Sequence, residues 1–218
     1  AYVSFEQQRA QIWVQELSSR QRYVAAEYPG LNQAPAFSPD GTRLAMALSK
    51  DGNAEIYVLH LRTKKLTRLT NHAAIDTEPA WRPDGRALVF TSGRSGSPQI
   101  YQVSANGGPV KRVTFEGAYN AGASYSPDAT RLAVVHRVEG GYGIAVYDIA
   151  KGTIDVLSKT RRTDSPSFAP NGAMVLYSTK TREGPVLMSV SANHSGATYK
   201  IRSKNSAIVR DPAWGPRR

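Results

Sequence analysis

The chain has 218 residues, no cysteine, 40% hydrophobic residues and a formal charge of +11 from 28 Lys and Arg against 17 Asp and Glu. That length supports one large all-β domain or two small ones, and the missing cysteines exclude disulfides while leaving the compartment open. No run reaches the roughly 18 apolar residues of a membrane helix, and the first 30 residues lack a signal-peptide profile, so the chain reads as soluble with any export signal outside it.

In chain order, the first expected strands fall at 1–5, 11–17 and 20–25. A complete unit follows, with strands "PAFS" (35–38), "RLAMALS" (43–49), "EIYVLHL" (55–61) and "KLTRLT" (65–70). Leu44, Met46 and Leu48 alternate with Ala45 and Ala47 at period two, and no stretch carries a helical stripe. The turn "FSPDG" at 37–41 has Pro to preset φ and Gly to relieve the exit, as a type I turn requires.

Weakened copies of that turn return as "WRPDG", "YSPDA", "FAPNG" and "WGPRR", so that Pro39, Pro83, Pro127, Pro170 and Pro216 stand 44, 44, 43 and 46 residues apart. Ile12, Ile56, Ile100, Ile144 and Leu187 keep the same step, which makes two independent landmarks in phase. Four antiparallel strands at this period describe a β-propeller blade. The expectation is an all-β propeller of five four-stranded blades, at 1–27 completed by 212–216, then 35–70, 79–114, 123–157 and 166–202. Joining the two chain ends in one blade would close the ring and cover a strand edge at each end.

The ordered set "NQAPAFSPDGTRLAMALSKDGNAEIYVLHL", "DTEPAW", "PQIYQVSANGG" and "PNGAMVLYST" resembles the propeller domain of the TolB family, periplasmic components of the Tol–Pal system of Gram-negative bacteria. The resemblance runs from about residue 1 to 216. The family's N-terminal α/β domain and one of its six blades have no counterpart in these residues. It implies a periplasmic protein that binds without turnover and without a cofactor. Its implied partners are the peptidoglycan-associated lipoprotein Pal and, in competition, colicin translocation peptides. They would be received on the rim formed by the D-to-A segments, where Leu31, Asn32, Ala34, Thr77 and Glu78 occupy the family's binding positions. In some members a histidine stands in place of Leu31. Asp76, Asn120, Asp164 and Arg210 extend the expected partner surface along the same rim.

An enzyme is the alternative, because fold does not fix function. The nucleophile elbow G-x-S-x-G is absent, and "SGRSGS" at 92–97 lies in a hairpin turn. His60, His72, His136 and His194 have no partner at metal-ligand spacing. Asp76 and Asp164, with Asn120 between them, read in two ways. They could converge on the channel mouth to bind a cation or polarise water, as in a hydrolase or lyase propeller, or they could cap turns through nearby backbone N–H groups. Basic residues are scattered through "RTKKLTRLT", "KRVT" and "SKTRR" without a block, so they read as solvated strand-edge charges and no nucleic-acid partner is expected. Glu78 precedes Pro79 and is expected in extended backbone, with its carboxylate fixed at the channel mouth.

Overall fold

Described here is a computed structural model, covering residues 1–6, 8–159, 163–181, 184–193, 197–201 and 212–214. Every helix or strand among them is a strand. The first sheet holds β1 (Tyr2–Ser4), β2 (Gln11–Gln15) and β3 (Arg22–Ala26). The second holds β4 (Asn32–Phe37), β5 (Arg43–Leu48), β6 (Glu55–His60) and β7 (Leu66–Arg68). β8 (Asp76–Trp81), β9 (Ala87–Ser92), β10 (Gln99–Ser104) and β11 (Lys111–Arg112) form the third. The fourth comprises β12 (Asn120–Tyr125), β13 (Arg131–Val138), β14 (Gly141–Asp148) and β15 (Thr153–Val156). The fifth comprises β16 (Thr163–Phe168), β17 (Met174–Thr181), β18 (Gly184–Ser191) and β19 (Thr198–Ile201). Each sheet is an antiparallel meander in sequence order, so the fold is a β-propeller with five blades. The strands of each complete blade are called A to D below, in chain order.

The repeated turn is built from side chains as well as backbone. Ser38 Oγ accepts from Arg43 N at 2.9 Å, Asp40 Oδ1 accepts from Thr42 N at 3.0 Å, and Gly41 N bonds to Ser38 O at 2.8 Å. Ser126, Asp128, Thr130 and Arg131 repeat the pattern in the fourth blade, with Ala129 at φ 59° in place of glycine. Hydrogen bonds from Ser38 and Thr42, and from Ser126 and Thr130, hold the carboxyls of Asp40 and Asp128 down at about 2.

In blades two to five the A strand begins three residues before its expected start, at Asn32, Asp76, Asn120 and Thr163 rather than 35, 79, 123 and 166. A proline such as Pro35, Pro79 or Pro166 donates no ladder bond and reads as the start of a strand. In the fold these prolines lie inside a β-bulge, where the ladder asks for no N–H. Register skips from Gln33 to Ala36, Thr77 to Ala80, Ala121 to Ser124 and Asp164 to Ser167. The bulged residues Ala34, Glu78, Gly122 and Ser165 have φ of 50°, 54°, 59° and 54°. Glu78 is therefore in left-handed backbone, and the extended conformation expected from its pre-proline place gives way to the bulge.

By its internal contacts the chain divides into two compact units, Ala1–Ser97 with Tyr101–Arg112, and Pro98–Ile100 with Val113–Arg218. In the first unit Ile56, Leu88, Phe90, Tyr101 and Val103 pack in one core, and Ile12, Leu44, Met46, Leu48 and Leu59 in a second. In the second unit Ile144, Val146, Phe168, Val175, Tyr177 and Val190 form the core. Of the phased landmark, Ile12, Ile56, Ile100 and Ile144 are all fully buried, whereas Leu187 of the fifth blade is half-buried.

Within each unit one A strand is tied to the next. Trp81 Nε1 donates to the Ala36 carbonyl at 3.0 Å, and Phe168 N donates to Ser124 Oγ at 3.2 Å. Of the expected closing segment 212–216, Pro212, Ala213 and Trp214 are described; residues 215 and 216 lie outside the described set. Trp214 Nε1 donates to the Ser167 carbonyl at 3.0 Å, on the fifth blade's A strand at the place that Ala36 occupies on the second.

Candidate functional site: the rim where the A strands begin

The first residue of each A strand is polar and buried: Asn32, Asp76, Asn120 and Thr163 are at most 3% exposed. A buried polar group needs partners, and each residue finds different ones. Asn32 Oδ1 accepts from Tyr28 N at 3.0 Å and its Nδ2 donates to the carbonyls of Tyr28 and Gly30, which ties the D-to-A loop to its own strand. Asn120 Nδ2 does the same to the Glu116 carbonyl at 2.8 Å. The Asp76 side chain has no N–H to donate. Its Oδ2 is ion-paired with Arg94 at 2.7 Å, while its buried Oδ1 has no hydrogen-bond partner among the described residues.

The two carboxylates that the sequence sets at similar places are placed differently. Asp76 is a fully buried strand residue in an ion pair with Arg94. Asp164 is the second residue of its strand, exposed, and corresponds to Thr77 rather than to Asp76. The D-to-A loop before Asp76 is held from the neighbouring hairpin instead, by Asn53 Nδ2 donating to the carbonyls of His72 and Ala74, each at 2.9 Å, and by His72 N donating to Glu55 at 2.6 Å.

Around β4 and β8 these positions make two hydrogen-bonded pairs and one small network through Arg94. Gln33 Nε2 donates to Thr77 Oγ1 at 3.3 Å, Thr91 Oγ1 donates to Glu78 Oε2 at 2.7 Å, and Arg94 Nε donates to Ser92 Oγ at 3.0 Å. The Arg94 guanidinium also lies over the rings of Phe90 and Tyr101, 5.5 and 4.9 Å from their centroids. Glu78 is exposed and Thr77 half-buried, so a carboxylate and a hydroxyl reach solvent. Leu31 and Ile75, each the residue just before its A strand, are 50% and 60% exposed. Acceptors for N–H or basic groups and exposed aliphatic side chains at strand starts suit recognition of a polypeptide.

Of the residues expected at the partner surface, Leu31, Asn32, Ala34, Asp76, Thr77 and Glu78 lie at the starts of β4 and β8, where Gln33, Ile75, Thr91 and Arg94, which the sequence reading did not name, also lie. Ile75 could have been found, since it stands 44 residues after Leu31 in the repeat. Arg94 could not, because only folding brings "SGRSGS" to the start of β8.

In the second unit Asn120 is the centre of another network. Its Nδ2 also donates to Gln99 Oε1 at 2.9 Å, which accepts from Thr114 Oγ1 at 2.8 Å, and its Oδ1 lies 2.9 Å from His136 Nδ1. Burial pushes the His136 imidazolium below its usual range, against the opposing effect of Glu116. His60 and His72 accept backbone N–H bonds from Thr63 and Ala74 through Nδ1. His194 and Arg210 lie outside the described residues, and among the described residues no group of three or more His, Asp or Glu could hold a metal.

The sequence pattern of the TolB beta propeller domain matches residues 1–218. The chain is 58% identical to the Tol-Pal system protein TolB of Alcanivorax borkumensis over 99% of its own length and 50% of that protein's. It is 50% identical to TolB of Ruthia magnifica over 98% of its length and 50% of the relative's. It superposes on the crystal structure of TolB from Acinetobacter baumannii with a TM-score of 0.91 at 43% identity, over 99% of this chain and 54% of that one. The chain thus spans about half the length of the relatives it matches. With five blades and a family match over residues 1–218, the chain belongs to the TolB β-propeller family of the Tol–Pal system.

Proposed function

We propose that this propeller is a non-enzymatic binding module that works in the periplasm and receives Pal, and in competition colicin translocation peptides, on the rim where its A strands begin. In that role it would serve outer-membrane integrity and envelope constriction. The observation that carries the reading is the exposed Glu78 carboxylate, oriented by Thr91, on a strand that follows the exposed Ile75, with the exposed Leu31 at the matching place before β4. A carboxylate already oriented accepts a partner's N–H or basic group with little further ordering, and charge-assisted bonds of this kind are worth about 1.5–3 kcal/mol.

Glu78→Ala should weaken binding of a Pal domain by roughly 10- to 100-fold in calorimetric titration, since about 1.4 kcal/mol is tenfold. The backbone accepts the change, because Ala34 occupies the same bulge position in the preceding blade with nearly the same φ. Glu78→Gln, which keeps an acceptor for Thr91 and loses the charge, should fall between the two. Lys151→Ala, in the exposed C-to-D turn of blade four, should bind like the parent. Unchanged affinity in Glu78→Ala would remove this rim from the partner site.

A further inference from the structure

We propose that a cleft between the A-to-B turns of blades four and five binds a small oxyanion, a carboxylate or phosphate group, with Arg131 as its cationic contact. This goes beyond the reading above, since the cleft lies at the opposite end of the A strands from Asn120 and Thr163. It encloses about 260 Å³ between the walls of Pro127 and Pro170, with Ser126, Asp128, Arg131, Asn171 and Asn193 as its polar lining. That volume falls below the roughly 300–1,000 Å³ of sites for drug-sized ligands, and suits a short group.

Among the described residues the Arg131 guanidinium donates only to neutral oxygens, with the Asp128 charge acting on it without a direct bond. Its Nη1 donates to the Ala192 carbonyl at 3.2 Å and to Asn193 Oδ1 at 3.4 Å, and its Nη2 to the Gly172 carbonyl at 3.4 Å. These lie at or beyond the long end of the usual N–H···O range of about 2.7–3.2 Å. No carboxylate forms an ion pair with Arg131 among the described residues. Its counterpart Arg43 makes a shorter bond, to the Gly85 carbonyl at 3.1 Å, and rests closer to its ring, 4.6 Å over Trp81 where Arg131 stands 5.6 Å over Phe168. A planar fork of donors without a carboxylate matches the two oxygens of a carboxylate or phosphate.

Asp128 is the opposing charge in the cleft. Its Oδ1 is occupied by Ser126 Oγ at 2.6 Å, Thr130 N at 3.0 Å and Thr130 Oγ1 at 2.8 Å. Its negative charge disfavours a dianion and favours a ligand with an N–H donor beside a single negative charge. The carboxyl end of a peptide has that form, and is expected to bind more tightly than phosphate.

The full chain is titrated by heteronuclear NMR with N-acetyl-alanyl-alanine and, separately, with inorganic phosphate, in low-chloride buffer. Saturable shifts at Gly172, Asn193 and Asp128 are expected, and whichever probe binds more tightly identifies the source of the oxyanion. Arg131→Met removes the cation, and also a tie between blades four and five. Asn193→Asp is the second variant: it leaves Arg131 in place and supplies a carboxylate where Oδ1 now accepts from it. Both should weaken binding at least tenfold. Absence of saturable binding by either probe to the parent, or binding retained in Asn193→Asp, would overturn the proposal.

Discussion

At the scale of residues, Asp76 and Arg94 are an unequal pair. Asp76 is fully buried, whereas Arg94 is 15% exposed and has other partners in Ser92, Phe90 and Tyr101. Removing one partner of a buried pair costs about 3–5 kcal/mol when the group left behind has no recourse to water. Arg94→Met strands the carboxylate and should cost about that much. Asp76→Asn strands a hydrated, stacked guanidinium and places at 76 the residue type found at 32 and 120, so about 1–2 kcal/mol is expected. Urea unfolding of both variants reads the order, and an Asp76→Asn variant less stable than Arg94→Met would show that the carboxylate is not the stranded group. Asp40 and Asp128 act through pH. Their folded carboxyls titrate at about 2, below the unfolded value of 3.8, so they stabilise the fold above about pH 4 and lose that effect as pH falls through 4 to 2. Asp128→Asn should be less stable than the parent at pH 6, with the gap closing by pH 2. A gap independent of pH would mean that the turn gains nothing from the charge.

At the scale of elements, the bulged A strand recurs in all four complete blades, and three of its four left-handed residues are not glycine. Such backbone costs on the order of 1–3 kcal/mol at each position and persists only where surrounding structure fixes it. Here the ladder on both sides of the bulge and the buried polar residue that opens each strand fix it. The bulge was not legible because pre-proline bias points the other way, and the bias is weaker than two anchored segments of register. Gly117 is a second element-scale constraint, at φ 79° in the loop before β12, where a Cβ would overlap the His136 ring. Gly117→Ala should cost about 2–4 kcal/mol from left-handed strain and overlap together. Adding His136→Ala should recover the part due to overlap in denaturant unfolding. A double variant as unstable as the sum of the singles would assign the whole cost to the backbone.

For the whole molecule, the repeat makes neighbouring blades share bonds at a spacing set by the sequence period. Trp81, 8% exposed, donates its indole N–H to Ala36 and accepts the Arg43 guanidinium on its face. Trp81→Phe keeps the ring and leaves a carbonyl without its donor, so a loss of about 1–3 kcal/mol is expected, a fall in Tm of roughly 2–10 °C for a chain of this length. Calorimetry on the parent and variant checks it, and an unchanged Tm would mean that water replaces the indole. Trp214, which makes the matching bond to Ser167 but is 39% exposed, should lose less on replacement by Phe.

The sequence alone determined blade count, strand order and the buried isoleucine landmark, because a period near 44 residues and alternation at period two are local properties that pleating and turn chemistry translate directly. What only the tertiary structure decided is what the rim's groups do. Asp76 could be read as a cap, a ligand or a base until folding brought Arg94 within 2.7 Å of it, 18 residues away in the chain. Glu78 could be read as extended until the ladder closed around it. Hydrogen bonds and charges act over a few ångströms, and which groups come that close is fixed by the register of strands rather than by their order in the chain.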